Sequence, residues 1–262
     1  MQLPDNHVHS QWSWDARLGD MDATCRKAVE LGLPSIAFTE HVDWVRGQPG
    51  LFDVEAYLKC VERCRSAYPG LRILSGVELG EPHKYWQEAQ ALLARRFDRV
   101  LASVHCVEWE GRATDASERG FLSPDNCEAA FRLYLGEVRR LLESDLPFQV
   151  LAHLDYPKRY WPAETRYDEC AFEGEFREAL RAAAARGVAL ELNTTRGGDP
   201  SRYLCPGPAV LRWWREEGGE AVSFGSDAHS PGHVAAGFAL AQEVAEAAGF
   251  RPQADPAAFW LR

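Results

Sequence analysis

The feature that most limits the fold of this sequence is a regular alternation of short apolar runs with longer amphipathic stretches. Seven strand-like runs span residues 3–9, 35–41, 71–79, 99–105, 148–154, 188–193 and 221–227. Helical patterns follow them at 21–31, 54–67, 85–95, 124–142, 173–185, 207–217 and 234–248. The runs VLASV, FQVLA and VALEL are almost continuously apolar, as strands buried on both faces of a sheet are. This pattern predicts an α/β fold with a parallel sheet, either closed as a seven-stranded barrel or open and doubly wound.

Composition narrows the class of protein further. The chain has 262 residues, of which 46% are hydrophobic and 26% charged, so we expect one domain spanning residues 1–262. The formal net charge is −10 and no basic patch is visible, so nucleic acid is not an expected partner. We find neither a membrane-spanning apolar run nor a signal pattern. Seven scattered cysteines favour a reduced, cytoplasmic compartment, with Cys60 and Cys64 as core residues.

Six of the eight histidines end a predicted strand. They are His7, His9, His41, His105, His153 and His229. The carboxylates Glu78 and Asp227 also end strands, and Asp15 lies six residues beyond His9. One histidine in such a position is usually a core residue, but six at the shared rim of a barrel predict a multinuclear site for Zn²⁺, Mn²⁺ or Fe. His83, in a Glu-Pro-His turn, is instead predicted to be a solvated surface residue.

Seven motifs occur in the order typical of one known family. DNHVHSQWSWDA, FTEHVD, GVELG, ASVH, LAHLDYPKR, LELNT and SFGSDAH resemble the motifs of the polymerase and histidinol phosphatase (PHP) superfamily, over residues 5–233. The chain length and the LDYPKR segment resemble its stand-alone histidinol-phosphatase branch. The resemblance implies a distorted seven-stranded (β/α)7 TIM-like barrel.

The same resemblance implies three divalent metal ions, Zn, Mn or Fe, and assigns their ligands. The first ion would be held by His7, His9, Glu78 and Asp227, the second by Glu78, His105 and His153, and the third by Asp15, His41 and His229. No position of the ligand pattern is missing, so we expect an active enzyme. The implied reaction is hydrolysis of L-histidinol phosphate, a step of histidine biosynthesis, by hydroxide that the metals generate from water. Asp227, His229 and His233 are the candidate catalytic residues, and the leaving group would take its proton from His229, His233 or a metal-bound water.

The substrate contacts are expected in the segments that follow the strands, including the long irregular stretches 108–123 and 155–170. Lys158, Arg159 and Arg196 are candidates for binding phosphate. Asp43 and Glu108 are candidates for binding the substrate ammonium group, and Trp109, Tyr160 and Trp161 for contacting its imidazole. Glu191 and Asn193 are expected to support the metal site.

Three other functions stay open at this stage. The first is a PHP enzyme acting on nucleotides or nucleic-acid ends, although the acidic surface disfavours a nuclease. The second is an amidohydrolase-type hydrolase, which also begins with an HxH motif but places a carboxylated lysine after strand four, where this chain has Ser103-Val104-His105. The third is a non-catalytic metal-binding module, which the intact ligand set disfavours. The sequence leaves the oligomeric state open.

Overall fold

The computed structural model describes residues 2–45, 52–197 and 199–262. Within them the main sheet has eight strands, in the order β1-β2-β3-β4-β7-β8-β9-β10, and β5 and β6 pair as a separate hairpin. The strands are β1 (Asp5–Val8), β2 (Ser35–Asp43), β3 (Arg72–Gly80), β4 (Arg99–Ser103), β5 (Cys106–Trp109), β6 (Arg112–Asp115), β7 (Val150–Leu151), β8 (Ala189–Asn193), β9 (Ala221–Gly225) and β10 (Trp260–Leu261). Each of the seven predicted runs contains a strand of the main sheet, and these seven pair in parallel. The count of seven is not confirmed, because β10 adds an eighth strand, antiparallel to β9.

The sheet curls until β1 meets the carboxyl end of β9. The Asp227 N–H donates to the His7 carbonyl, and the His9 N–H donates to the Ala228 carbonyl, both at 2.8 Å. At its other end, β9 is covered by β10, which pairs with its first two residues. A doubly wound sheet would keep β1 and β9 apart as open edges, so the structure has the curled, barrel-like form. Since β10 is only two residues long, it gives no periodic signal in the sequence.

Apart from a four-residue helix at Pro200–Tyr203, which the sequence analysis did not predict, the helices of the described residues correspond to the amphipathic patterns predicted from the sequence. They are α1 (Met21–Glu30), α2 (Val54–Ala67), α3 (Trp86–Leu93), α4 (Cys127–Glu143), α5 (Glu173–Arg186), α6 (Pro200–Tyr203), α7 (Pro208–Glu216) and α8 (Phe238–Ala247). Asp20 and Asp53 begin α1 and α2, because each side chain accepts a hydrogen bond from the N–H three residues on. Cys60 and Cys64 on α2 are buried core residues, as predicted. No helix in the described ranges is long and apolar enough to cross a membrane.

The register of the strands decides which side chains point into the barrel. Across β2 and β3, His41 lies opposite Glu78 and Asp43 lies opposite Gly80, and opposite residues of a parallel pair share a face of the sheet. Glycine at position 80 leaves room for the Asp43 carboxylate, because a Cβ there would overlap Asp43 Oδ1 and displace it. Phe38 points to the other face and packs in the core with α1 and α2. The inner face at this end of the barrel therefore carries polar ligands, while the outer face carries the apolar core.

A hairpin forms where the sequence predicts irregular structure after strand four. β5 and β6 pair antiparallel, and the turn between them contains Glu110 and Gly111, which have φ values of 51° and 77°. Positive φ at both turn residues is typical of the type I′ turn of tight hairpins. The chain then returns towards β4, where the Ala116 N–H donates to the His105 carbonyl at 2.8 Å. The hairpin thus brings the residues after β6 to the carboxyl edge of the barrel.

His83 is packed against α4, so its prediction as a solvated surface residue is wrong. Its side chain is 9% exposed, and Nε2 lies 2.7 Å from Glu137 Oε1. Lys84 Nζ lies 2.8 Å from the same oxygen, and Arg140 donates to Glu137 Oε2 at 2.7 Å. Burial raises the pKa of Glu137, but these three partners outweigh it and lower the pKa to about 2.

Glu137→Gln should lower the free energy of unfolding by about 1–3 kcal/mol at neutral pH, because the neutral amide cannot pair with the charges of Lys84 and Arg140 or accept from all three partners. The folded pKa of about 2 lies below the ordinary value of 4.5, so the stabilisation is fully present above about pH 4.5 and is lost as the pH falls towards 2. Urea unfolding of both proteins at about pH 7, 4 and 3 should show a difference that shrinks with acidity.

Glu143→Gln provides the control on the same helix. This exposed carboxylate lies 3.2 Å from Arg139 in an i,i+4 pair, so its loss should cost no more than about 0.5 kcal/mol. A Glu137→Gln effect that does not change with pH would contradict the assignment.

Candidate metal centre

The histidines that end the predicted strands converge at the carboxyl edge of the barrel. His7 and His9 point the same way from β1 and its end, with their Nε2 atoms 3.0 Å apart. The His9 ring stacks on the His41 ring at a centroid distance of 4.1 Å and lies 4.3 Å from the His229 ring. Such close packing of imidazoles at one end of a barrel indicates a binding site rather than a hydrophobic core.

Glu78, on β3, lies at the centre of this cluster and is fully buried. Its Oε1 lies 2.7 Å from His153 Nε2 and 3.2 Å from His105 Nε2. Its Oε2 lies 3.0 Å from His41 Nδ1 and 3.2 Å from His7 Nε2. Burial raises the pKa of Glu78, but the surrounding histidines outweigh it and hold the pKa well below its usual range. The carboxylate is therefore ionised and reaches histidines from both of its oxygens.

Two further carboxylates complete the cluster. Asp15 Oδ2 lies 3.0 Å from His229 Nε2 and 3.6 Å from His41 Nε2. Asp227 Oδ1 lies 3.4 Å from His9 Nε2. Burial raises the pKa of each aspartate, but the hydrogen bonds from His229 to Asp15 and from His9 to Asp227 help to lower both below the ordinary value. All three carboxylates are thus available as anionic ligands.

The arrangement fits divalent metal ions. In the described residues, three groups have ligand atoms within 4.8 Å of one another: His7, His9 and Glu78; His9, His41 and His229; and His41, Glu78 and His105. Glu78 Oε2 and His41 Nδ1 are buried and lie 3.0 Å apart, yet neither has a hydrogen-bond partner in this part of the chain. A cation shared by such atoms would satisfy both. Imidazole nitrogens with carboxylate oxygens suit Zn²⁺, Mn²⁺ or Fe.

The three groups agree only in part with the ligand sets that the family resemblance implies. His7, His9 and Glu78 fall together as expected, and His41 falls together with His229. His153 is in none of the three groups, although its Nε2 lies 2.7 Å from Glu78 Oε1.

Carboxylates behind the histidines fix the orientation of the rings. His7 Nδ1 lies 2.7 Å from Glu191 Oε1, and His105 Nδ1 lies 3.0 Å from Asp43 Oδ1. Asn193 Nδ2 donates to Glu191 Oε2 at 3.1 Å, so both residues take the supporting positions predicted for them. Asp43 is only 1% exposed, contacts the His105 ring and is not part of the lining of the neighbouring cavity, so it is not placed to meet the substrate ammonium group as predicted. Partners of this kind hold a ligating histidine in one tautomer.

A cavity of about 190 Å³ opens beside the cluster. Besides the residues of the cluster, its lining includes Trp14, Asp115, Ser117, Tyr156, Arg159 and Tyr160. Arg159 Nη1 donates to Asp227 Oδ2 at 3.1 Å, and Nη2 donates to Asn193 Oδ1 at 2.9 Å. The predicted phosphate ligand Arg159 is therefore held rigidly at the wall of the cavity.

Other predicted substrate contacts lie elsewhere. Among the residues that the structure describes, Lys158 and His233 do not line the cavity. Lys158 turns away because Asp155 Oδ2 lies 2.8 Å from its Nζ, and the exposed His233 Nδ1 lies 3.0 Å from Ser230 Oγ. Arg196 follows β8 in a short turn, and its side chain lies outside the described part of the structure.

Three predicted contacts on the segments after β4 and β7 also face other ways. Glu108 is exposed on β5 and is not part of the cavity lining. Trp109 packs edge-on against Phe121 at 5.7 Å, and Trp161, which is 4% exposed, packs against Phe131 at 5.8 Å. Tyr160 alone of the three predicted aromatic contacts lines the cavity.

Four cavity residues were missed by the sequence analysis: Trp14, Asp115, Ser117 and Tyr156. Asp115 Oδ1 accepts hydrogen bonds from the N–H and the hydroxyl of Ser117 at 2.8 and 2.7 Å. Trp14 directly precedes Asp15, a predicted ligand, and this adjacency was the available signal. Asp115 reaches the cavity through the β5–β6 hairpin, and the sequence indicated this hairpin only by the length of the irregular stretch 108–123.

Comparison with known proteins agrees with this site. A model of the PHP domain family matches residues 5–195, most of the chain. The chain belongs to the PHP domain family. The matched range contains every predicted ligand except Asp227 and His229, so the resemblance found in the sequence motifs is confirmed.

Individual PHP proteins resemble the chain over almost its whole length. A probable histidinol-phosphatase from Clostridium acetobutylicum is 27% identical over 95% of this chain and 94% of its own length. A histidinol-phosphatase from Lactococcus lactis is 29% identical over 87% of this chain and 85% of its own length.

Solved structures give the same relationship. The crystal structure of the Lactococcus lactis histidinol phosphate phosphatase, complexed with Zn, L-histidinol and phosphate, is 26% identical with a TM-score of 0.84 and covers 95% of both chains. A putative histidinol phosphatase from Listeria monocytogenes has a TM-score of 0.77 at 19% identity, over 90% of this chain and 99% of its own, and shows a shared fold. The α/β, TIM-like architecture and the histidinol-phosphatase branch of the PHP superfamily are thereby confirmed.

Proposed function

We propose that the protein is a metal-dependent phosphomonoesterase that converts L-histidinol phosphate to L-histidinol and phosphate. The observation that carries the proposal is the buried cluster of histidines around Glu78, beside a cavity that has Arg159 in its wall. The similar Lactococcus lactis structure, complexed with Zn, L-histidinol and phosphate, supports the choice of substrate. A single domain spanning residues 1–262 and a cytoplasmic location remain predictions.

We assign three divalent ions to the cluster. The proposed ligands are His7, His9, Asp15, His41, Glu78, His105, His153, Asp227 and His229. Three divalent ions carry six positive charges, against three negative charges on Asp15, Glu78 and Asp227. The remaining positive charge suits a phosphate dianion, and metals also lower the pKa of water towards ~7, which supplies hydroxide at neutral pH.

Arg159 is the side chain best placed to bind the phosphate group. Asp227 and Asn193 hold two of its nitrogens, so the guanidinium is oriented before substrate arrives. Its Nε has no hydrogen-bond partner among the described residues. A fixed cation at the cavity wall stabilises negative charge that spreads over the phosphate oxygens in the transition state.

His229 is better placed than His233 to serve the leaving group, because it lines the cavity. Its Nδ1 lies 2.9 Å from the Asp227 carbonyl oxygen, which can accept a hydrogen from that nitrogen. Nε2 then remains to hold a metal ion or to exchange a proton. Asp227 contributes to catalysis by linking His9 and Arg159 through its two carboxylate oxygens.

The organic part of the substrate would meet Asp115 and Tyr160. Asp115 supplies a carboxylate at the cavity wall for the ammonium group, in place of Asp43 and Glu108. The Tyr160 ring is 42% exposed and offers an aromatic face for the imidazole. Discrimination between phosphate monoesters would arise here, because the metals contact the group that all monoesters share.

The substrate assignment predicts a preference of at least ~100-fold in kcat/KM for L-histidinol phosphate over p-nitrophenyl phosphate and AMP, or about 2.7 kcal/mol. Asp115→Asn should reduce kcat/KM for L-histidinol phosphate by about 10–100-fold, because it removes the charge that meets the ammonium group. The same variant should leave p-nitrophenyl phosphate hydrolysis within about 3-fold.

Glu108→Gln is the matched control, since it removes the same charge from an exposed position on the same hairpin. It should leave all three substrates unaffected. If AMP proves the best substrate, the protein is a nucleotide phosphatase of the PHP family and the histidinol assignment is wrong.

Arg159→Ala should lower kcat/KM by about 30–150-fold, or about 2–3 kcal/mol, through loss of a charge-assisted phosphate contact. Arg159→Lys should recover only part of the loss, because an ammonium cannot form the two-pronged contact. Arg166→Ala, in the exposed loop that follows, is the control and should be silent. Metal content is measured alongside, since Arg159 also contacts Asp227. A loss below about 3-fold with full metal content would show that the metals bind phosphate without this arginine.

A further inference from the structure

Lys158 is a fully enclosed cation that lies next to the cavity without lining it. Its side chain is 2% exposed, and Nζ donates to the Leu204 carbonyl. Nζ also lies 2.8 Å from Asp155 Oδ2, an ion pair whose two members are both buried. The Tyr167 ring lies 5.8 Å from the ammonium on another side. These contacts leave the side chain no path to the cavity.

The contacts of Lys158 join two loops at the carboxyl edge. Lys158 lies in the turn Tyr156–Tyr160 after β7, whereas Leu204 lies in the segment between β8 and α7. That segment is itself tied to β8, because Asn193 and Cys205 exchange two backbone hydrogen bonds of 2.8 Å. Asn193 is also the residue whose side chain accepts from Arg159 Nη2. Lys158 and Arg159, which are adjacent in this turn, therefore both donate to β8 or to the segment that follows it.

The ion pair makes this link stiff. Burial lowers the pKa of Lys158, but the Asp155 carboxylate outweighs it, so the pKa is raised and the ammonium stays charged. A buried charge that loses its partner is strongly unfavourable, so neither side chain can swing away from the other. The turn that carries Arg159 is thus fixed from the side opposite the cavity.

We propose that Lys158 and Asp155 form a positioning pair that holds the Tyr156–Tyr160 turn so that Arg159 faces the phosphate position. The proposal rests on the proposed function for the identity of the phosphate ligand. Neither member of the pair touches substrate, and both act through Arg159. The pair replaces the direct phosphate contact that the sequence alone predicted for Lys158.

The test compares Lys158→Met, Asp155→Asn and the double variant in metal-loaded protein. Each single variant should raise the dissociation constant for inorganic phosphate and the KM for L-histidinol phosphate by about tenfold, with kcat changed less than about 3-fold and metal content unchanged. The double variant should show about the same tenfold loss, not the hundredfold expected of independent residues.

The Asp155→Asn variant separates positioning from direct contact. If Lys158 binds phosphate itself, Lys158→Met should weaken phosphate binding while Asp155→Asn should not. If the pair has a purely structural role, both single variants should lower the melting temperature and leave the phosphate dissociation constant unchanged. Either result would overturn the proposal.

Lys84→Met is the matched control, because Lys84 also pairs with a buried carboxylate, Glu137, at 2.8 Å. It should affect stability without changing phosphate binding. Should the single variants fail to fold, the double variant decides, since it leaves no buried unpaired charge. If the double variant folds and binds phosphate as tightly as the unmodified protein, the positioning role is refuted.

The phosphate-binding measurement also separates this proposal from the proposed function. If the unmodified protein binds inorganic phosphate but does not hydrolyse L-histidinol phosphate, the substrate assignment fails. The positioning pair is then still judged by the dissociation constants for inorganic phosphate in the three variants.

Discussion

Glu78→Gln should reduce kcat/KM for L-histidinol phosphate by about 1,000-fold or more, equivalent to about 4 kcal/mol of transition-state stabilisation. Glu78 contacts four histidines through its two oxygens, within 2.7 to 3.2 Å. The amide has nearly the same shape but carries no charge and offers one oxygen instead of two. The variant should therefore fold and lose the ability to bridge two ions, which elemental analysis and steady-state kinetics would measure together.

Glu191→Gln is the matched control, because it is a buried glutamate whose side chain contacts the ring of only one proposed ligand, His7, at 2.7 Å, and otherwise accepts from the His153 N–H and from Asn193. Changes to such supporting residues typically cost about 10–100-fold. Glu78→Gln should therefore be clearly the more damaging of the two. If Glu78→Gln kept its full metal content and lost less than about tenfold in kcat/KM, the bridging role would be wrong.

The metal cluster was predictable from the sequence because its residues have a simple positional rule. Parallel strands of a barrel end at one rim, so residues such as His105 and His153 meet there even though nearly fifty positions separate them. The rule needs only the locations of the strands, and each predicted run does contain one. Local periodicity and strand order were sufficient for this part of the site.

The cavity wall was harder to predict because its geometry depends on the path of the chain beyond the rim. Asp115 reaches the cavity only through the β5–β6 hairpin, whereas Glu108, on the same hairpin, is exposed. Both residues are acidic and lie in the same segment, so composition does not indicate which of them faces the cavity. Alternation does not separate them, because Asp115 lies opposite Cys106, two positions from Glu108, and both side chains are on the same face of the hairpin. Asp115 faces the site because it lies at the base of the hairpin, whereas Glu108 lies nearer the turn.

The contacts of Lys158 and His83 also could not be predicted from the local sequence pattern. Lys158 follows β7, where a phosphate ligand is expected, but its position is decided by Asp155 three residues earlier and by a carbonyl 46 residues later. His83 lies in a turn typical of a surface, yet it is covered by Glu137, 54 residues away. In each case the deciding partner is distant in sequence, and pairing energy outweighs the preference of a charged group for water.

Removal of the metal ions should also have a large effect, both on turnover and on stability. We expect about three ions per chain by elemental analysis, and chelation should abolish turnover, which readdition of Zn²⁺ or Mn²⁺ should restore. The cluster buries the carboxylates Glu78 and Asp227 among histidines and places the partly exposed Asp15 carboxylate beside His229 and His41. In the absence of metal, Arg159 balances part of the charge on Asp227, and the remaining charge can be balanced by protonating histidines. Burial lowers the pKa of His7, but Glu191 and Glu78 outweigh it and raise the pKa well above the usual value.

Metal binding must therefore be linked to stability as well as to activity. An ion present at 1,000 times its dissociation constant stabilises the folded state by about 4 kcal/mol, which for a chain of this size corresponds to roughly 8–16 °C in melting temperature. Chelation should accordingly lower the melting temperature by about 10 °C or more.

Asp15→Asn tests the third ion separately, because Asp15 contacts only His229 and His41 within the cluster at 3.0 and 3.6 Å. This variant should retain about two ions, and anomalous scattering should show which position is empty. A metal-replete protein with one isolated ion, or a chelated protein with unchanged melting temperature and turnover, would rule out the three-ion site, because histidine protons and Arg159 would then be sufficient to balance the carboxylates.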